Sequence, residues 1–205
     1  MGTLVRLIDA GGTTMVSQPA TAGIQKSQGG CMDLDFSEIK ILVFDVDGVL
    51  TDGKIHISES GVETKTFFAH DGAGIRLAKK MGLKVGFISA RTSNAAVIRV
   101  KELGVDFYIE GCKDKLNSLK KVLKDYNLDF KNLFYMGDDI VDIELLNIAG
   151  ISASVPDAPK YVRDYADFIT EKSGGCGAVR EVCDIILEKK GLLFNFLNDL
   201  NKNGF

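Results

Sequence analysis

The sequence predicts an α/β fold: a Rossmann-like parallel sheet with helices on both faces and a small β-hairpin inserted after the first strand. Three observations predict it. Short apolar runs without polar alternation recur along the chain, as strands buried on both faces require. Amphipathic stretches carrying Lys and Arg on one side lie between them, as covering helices require. One segment alternates with period two instead, which marks a hairpin.

The elements follow in order. Residues 1–31 are rich in Gly, Thr, Ser and Gln with no structural period, so a disordered leader is expected there. Residues 32–190 are expected to form the folded domain and 191–205 a C-terminal tail. ILVF at 41–44 is the first strand. KIHIS at 54–58 and VETKTFF at 62–68 flank Glu59, Ser60 and Gly61, giving a hairpin insert over about 53–68. Helix-like segments at 73–81, 94–103, 115–126 and 140–148 alternate with strands VGFIS at 85–89, DFYIE at 106–110 and LFYM at 133–136. FIT at 168–170 reads as a short strand, and AVREVCDIILEKK as a helix entered through Gly174, Gly175 and Gly177. The tail carries LLFNFL, apolar on more than one face, and such a strip docks on its own domain or on a neighbouring subunit.

At 205 residues the chain is about 1.4 times a typical domain, one domain with an appendage. Its net charge of −3 offers no broad basic face, which argues against a nucleic-acid partner. Hydrophobic content of 45% with 26% charged residues excludes whole-chain disorder, collagen and coiled coil. Cys31, Cys112, Cys176 and Cys183 occur singly, without CxxC or a nearby His, so reduced thiols are expected rather than zinc ligands. No apolar stretch approaches the roughly 20 residues of a membrane span, and Arg6 and Asp9 interrupt the greasy N-terminal segment. A cytoplasmic protein without a membrane partner is expected.

The chemistry gathers at strand ends. Asp45, Val46, Asp47 and Gly48 follow ILVF directly, where open α/β sheets place their ligands. Carboxylates two apart in an extended segment face the same way, and two that close need a cation, a shared proton or both. All-oxygen ligands suit Mg²⁺. Ser89 closes the VGFIS strand, where a hydroxyl binds a phosphate oxygen or caps the next helix. Lys115 follows DFYIE, where an ammonium neutralises phosphate charge or is simply solvated. Gly137, Asp138 and Asp139 follow LFYM, with Asp142 three residues on, and a carboxylate there completes a Mg²⁺ site.

The order DxD, Ser, Lys, GDDxxD resembles the haloacid dehalogenase superfamily of phosphatases from Ile39 to about Lys190. VFDVDGVLTDG, KTFFAHDGAGI, ISARTS with Arg99 following, the DK of EGCKDK, MGDDIVD, VPDAPKYV and SGGCGAVRE look like its 3-deoxy-D-manno-octulosonate 8-phosphate (KDO 8-phosphate) phosphatases. The resemblance implies a capless enzyme, a homotetramer built through the inserted hairpins, and a place in lipopolysaccharide precursor synthesis. It also implies Mg²⁺ on the Asp45 carboxylate, the Asp47 backbone carbonyl and Asp138, with Asp139 and Asp142 behind them. Positions Phe68, Ala69, His70, Asp71, Gly72, Arg76, Arg91, Arg99 and Lys115 would line the substrate site, some across the tetramer interface. His70 stands where many relatives carry Arg, so the preferred sugar acid is open at that position.

By both routes Asp45 is the expected nucleophile, forming an aspartyl-phosphate, and Asp47 the acid that protonates the leaving oxygen and then activates water. Asp47 is expected to hold a proton under the influence of Asp45 and partial burial. Ser89 and Lys115 would hold the transferring oxygens. Arg76, Arg91 and Arg99 could pair with a sugar-acid carboxylate, or be solvated helix arginines. Phosphate-monoester hydrolysis demands up to ~10²¹-fold acceleration, on the order of 29 kcal/mol, which no single contact supplies. The rivals are a phosphatase of a nine-carbon sugar acid 9-phosphate, a receiver-like domain and a catalytically idle oligomerisation module. Asp47 argues against a receiver, since a long-lived phosphoryl group needs no acid beside it.

Overall fold

The computed structural model describes residues 33–203, so the leader expected at 1–31 and Cys31 lie outside the described residues. Strand β1 (Ile41–Asp45) is buried along its whole length, and its side chains alternate between two cores. Leu42 and Phe44 face one core, Ile41 and Val43 the other. Asp45 continues the Ile41 and Val43 series, and that period sets the direction of its carboxylate.

Strands β4 (Lys84–Ile88), β5 (Phe107–Ile109), β6 (Leu133–Met136), β7 (Ile151–Ser154) and β8 (Phe168–Ile169) join β1 in one parallel sheet of order β5-β4-β1-β6-β7-β8. The chain runs outward from β1 through β4 to β5 and then returns to the far side of β1 as β6. The carboxyl ends of β1 and β6 therefore flank the crevice at which the sheet reverses direction, the general ligand site of such sheets. Asp45 ends one of these strands and Gly137 and Asp138 follow the other.

Helices α1 (Ala69–Lys80), α2 (Asn94–Leu103) and α6 (Ala178–Lys189) contribute to the first core, through residues such as Ile75, Ala96 and Val182. Helices α3 (Lys115–Asp125), α4 (Ile143–Ile148) and α5 (Lys160–Arg163) contribute to the second, through Leu119, Leu145 and Val162. Both faces are thus covered.

Four expectations need correction. The first helix starts at Ala69, not at 73, because Gly72 and Gly74 are close-approach positions rather than breakers. A Cβ at Gly74 would lie 2.9 Å from the Arg180 Cδ and 3.2 Å from the Cys183 Cβ of α6, so glycine lets the two helices pack. Strand β7 went unread because its inward hydroxyls hide a buried run: Ser154 Oγ donates to the Gly137 carbonyl at 2.7 Å and Ser152 Oγ to Asp167 at 3.0 Å. The helix expected over 140–148 opens as a separate 3₁₀ turn, Ile140–Asp142. The hairpin segment pairs over only two residues per strand, β2 (His56–Ile57) against β3 (Glu63–Thr64). Elsewhere the segment runs as irregular chain.

Helix α7 (Leu192–Asn203) follows α6, with Leu192 and Leu193 packed on the first core and Phe196 beneath the Lys80 ammonium at 5.0 Å. The tail therefore docks on its own chain along one side, while Phe194 remains 70% exposed. Cys112, Cys176 and Cys183 are free thiols. Among the described residues no helix is long and apolar enough to cross a membrane.

Candidate active site

Asp45 is 5% exposed and Asp142 is fully buried, and the two share one cation. The Lys115 ammonium donates to Asp45 Oδ1 and, at 2.6 Å, to Asp142 Oδ1. Lys115 reaches them because it opens α3, on the same face of the sheet to which Asp45 points. Asp142 is held by four groups. Besides Lys115 it accepts the Tyr135 hydroxyl and the backbone N–H groups of Asp138 and Asp139, at 3.2 and 3.1 Å. It works as the anchor of the 138–142 turn.

Beyond Asp45 the chain does not stay extended. Thr51 N–H bonds back to the Val46 carbonyl at 3.1 Å, and Gly48 takes a φ of 91°. Glycine is required there twice over, by the left-handed backbone and because a Cβ would strike the Asp138 carboxylate. Asp138 thus lies directly against the turn that follows Asp45. Its Oδ1 is buried without a hydrogen-bond partner among the described residues. Burial first, then the charges of Asp142 and Asp139, push its pKa up to about 7. Burial also pushes Asp45 well above the usual carboxylate range, against the pull of Lys115. Burial works against the charge on Lys115, yet the Asp45 and Asp142 carboxylates outweigh it and hold that pKa above its ordinary value.

An orphaned carboxylate oxygen beside a buried acid is what a cation site requires, and the donors are all oxygen. Asp45 and Asp138 with the Asp47 carbonyl fit Mg²⁺, which keeps several of its waters and needs no protein cage. Among the described residues no group of three or more His, Cys, Asp or Glu side chains is arranged to hold a metal ion.

Asp47 is turned to a different partner, Lys65, whose ammonium donates to its Oδ1. The sequence expectation set Asp45 and partial burial beside this acid and missed the lysine. Burial disfavours the charge on Lys65, but its bonds to Asp47 and Glu63 prevail and raise its pKa. The ammonium also lies 3.1 Å from Glu63 Oε1, and Glu63 Oε2 accepts from Arg91 Nη2 at 2.7 Å. A signal for Lys65 existed, since Glu63 and Lys65 stand two apart in a period-two segment and share a side. Tyr108 on β5 was missed as well. Its hydroxyl is buried without a partner among the described residues, and burial, then the charges of Glu110, Asp47 and Asp45, raise its pKa.

Ser89 is 2% exposed, and its Oγ accepts the Arg91 N–H at 3.0 Å. Of the residues expected to bind substrate, Phe68 is 38% exposed and its ring packs edge-on against His70, 5.1 Å between centroids. Ala69 is exposed beside them at the start of α1. Arg99 lies over Phe67 and against Gly72 while pairing with Glu102 at 2.8 Å. Gly72 is buried, and its missing side chain makes room for that guanidinium. Asp71 is 2% exposed; its Oδ1 accepts the Arg180 N–H at 2.8 Å, and its Oδ2 is buried without a hydrogen-bond partner among the described residues. Through Oδ1 it caps α6, because the first turn of that helix has free N–H groups. Arg76 is exposed on α1 without a hydrogen bond or ion pair among the described residues. Asp139 turns to its own backbone and accepts the Ile140 N–H at 2.7 Å.

Comparison with known proteins gives consistent results. The haloacid dehalogenase-like hydrolase family profile matches residues 88–182. The 3-deoxy-D-manno-octulosonate 8-phosphate phosphatase KdsC of Escherichia coli K12 is 37% identical over 155 residues, covering 76% of this chain and 82% of that one. Its Haemophilus influenzae counterpart is 34% identical over 160 residues, covering 78% and 89%. Among solved structures, the Moraxella catarrhalis KDO 8-phosphate phosphatase in complex with magnesium, phosphate and KDO aligns with a TM-score of 0.78 at 37% identity. That alignment covers 81% of this chain and 95% of that one. A cobalt-bound Haemophilus influenzae enzyme aligns at 0.74 and 34% identity, covering 77% and 92%.

Proposed function

The chain belongs to the haloacid dehalogenase-like hydrolases, and we propose that it is the magnesium-dependent phosphatase that hydrolyses KDO 8-phosphate to KDO and inorganic phosphate. The observation that carries the assignment is the buried Asp45–Lys115–Asp142 cluster with the orphaned Asp138 oxygen beside it, at the crevice where the sheet reverses. The relatives named above carry the eight-carbon name, which disfavours the nine-carbon reading.

Each side chain receives a role from its position. Asp45 Oδ attacks phosphorus as the ester P–O bond breaks, and Asp47 delivers a proton to the departing sugar oxygen. Water then attacks the aspartyl-phosphate, gives its proton to Asp47, and releases Asp45 and phosphate. Lys115 keeps Asp45 oriented and lies ready to neutralise the transferring oxygens, and the Ser89 hydroxyl has a proton to offer them. Asp45, Asp138 and the Asp47 carbonyl would hold Mg²⁺, which would supply positive charge to offset the phosphate's own. Arg91 and Arg99 close the sugar-acid end, with Phe68, Ala69 and His70 at its rim.

The resemblance extends the proposal to a homotetramer held by the hairpin segments, to lipopolysaccharide precursor synthesis and to the cytoplasm. The proposal takes 32–190 as the catalytic domain and 191–205 as its tail. A phosphate-release assay with Mg²⁺ across eight- and nine-carbon sugar-acid phosphates tests the reading, with KDO 8-phosphate expected to be preferred. Equal turnover of glucose 6-phosphate would remove the role given to the arginines.

A further inference from the structure

We propose that Lys65 is the positioning residue of the acid–base step: it grips Asp47 by Oδ1, so that Oδ2 is the oxygen that exchanges the proton with the leaving sugar oxygen. The inference rests on the phosphatase reading above and deepens it.

The Lys65 side chain is only 1% exposed, although it comes from a segment whose neighbours Thr64 and Thr66 are open to solvent. A long, rotamer-rich side chain is not fixed in such a place without partners, and Lys65 has two, Asp47 Oδ1 and Glu63 Oε1. Asp47 needs holding. It sits in the turn that ends at Thr51, and its neighbour Gly48 packs against Asp138, so the turn fixes its backbone but not its side chain. Oδ2 of Asp47 has no hydrogen bond or ion pair among the described residues, which leaves it as the free oxygen for proton exchange.

The grip continues outward. Glu63 receives Lys65 on one oxygen and Arg91 on the other, and the Arg91 N–H returns to Ser89 Oγ at 3.0 Å. The series Lys65, Glu63, Arg91 alternates in sign. What it adds is geometry, linking the proton-transfer oxygen to the arginine assigned to the sugar-acid carboxylate. Proton transfer requires heavy atoms about 2.6–3.2 Å apart, and an acid misplaced by about 1 Å loses on the order of 10²-fold in rate.

The chemistry of the leaving group makes this testable. A sugar alkoxide cannot depart without a proton, whereas p-nitrophenolate can. The test compares KDO 8-phosphate with p-nitrophenyl phosphate as substrates of the full-length magnesium enzyme, for wild type, Lys65→Met, Lys65→Arg and Glu63→Gln. Lys65→Met is expected to lose about 10²-fold in kcat on the sugar ester and at least tenfold less on the aryl ester, with Lys65→Arg regaining part of the difference. Losses of equal size on both esters, or none, would overturn the inference. Should Lys65→Met fail to fold, Glu63→Gln decides, with the same-signed split expected and equal losses again counting against it. A wild type inactive on both esters would instead sink the phosphatase reading, and this inference with it.

Discussion

Asp45 and Asp142 lie in the interior around a single ammonium, so one of the two negative charges there depends on further compensation. Replacing Asp45 by Asn keeps the shape and removes the nucleophile. Phosphate release with KDO 8-phosphate and magnesium is expected to vanish while the thermal transition stays cooperative, and wild-type release would refute the assignment. Asp138 makes a second prediction. Its pKa is raised from 3.8 to about 7, so the folded state binds that proton more tightly than the unfolded chain does. Its share of stability is therefore present below 3.8 and is lost as pH rises through about 7. Magnesium competes with the same proton, so its stabilising increment in thermal melts should be larger at about pH 8 than at about pH 5. Equal increments at both would separate the ion from Asp138. Asp45, Lys115, Asp138 and Asp142 were all legible in the sequence because each closes a strand or follows one closely. Lys65 was not read, because its partner is 18 positions away and the period-two spacing that puts Lys65 and Glu63 on one side does not say what that side faces.

Elements are tied together by side chains that cross between them. Asp71 on α1 supplies the cap that α6 lacks in its own sequence, since the residue before α6 is Gly177. Asp71→Ala is expected to cost about 0.5–2 kcal/mol, read as a lower urea midpoint with an unchanged slope. A midpoint equal to wild type would remove the cap from the account. The same helix pair explains why the start of α1 was misread. Glycines at 72 and 74 weaken a helix in isolation by roughly 0.5–1 kcal/mol each, and only the approach of α6 and Arg99 shows what they gain. Strand β7 was lost for a related reason, because serines read as surface residues until the carbonyl and carboxylate that receive them are in view.

Among the described residues the exposed apolar side chains are spread over several elements, Ile98 on α2 and Phe194 on α7 among them, and three of them lie close together in the hairpin segment. Ile55 is 49% exposed, Ile57 67% and Val62 57%, on a two-rung ribbon that has little hydrogen bonding of its own. Such a ribbon is marginal alone and is stabilised when other chain covers it. If the proposed homotetramer forms through these segments, Ile57→Lys should shift the mass measured by light scattering towards smaller species, and an unchanged mass would place the interface elsewhere. The alternation of buried runs with amphipathic stretches, and the acids at strand ends, needed only local pattern, because backbone period and burial write themselves into neighbouring residues. Which partner each acid takes came only from the folded chain. Lys65 on Asp47, Asp71 on α6 and Arg91 on Glu63 are contacts between residues far apart in sequence, and the path of the backbone between two elements leaves no periodic trace in either.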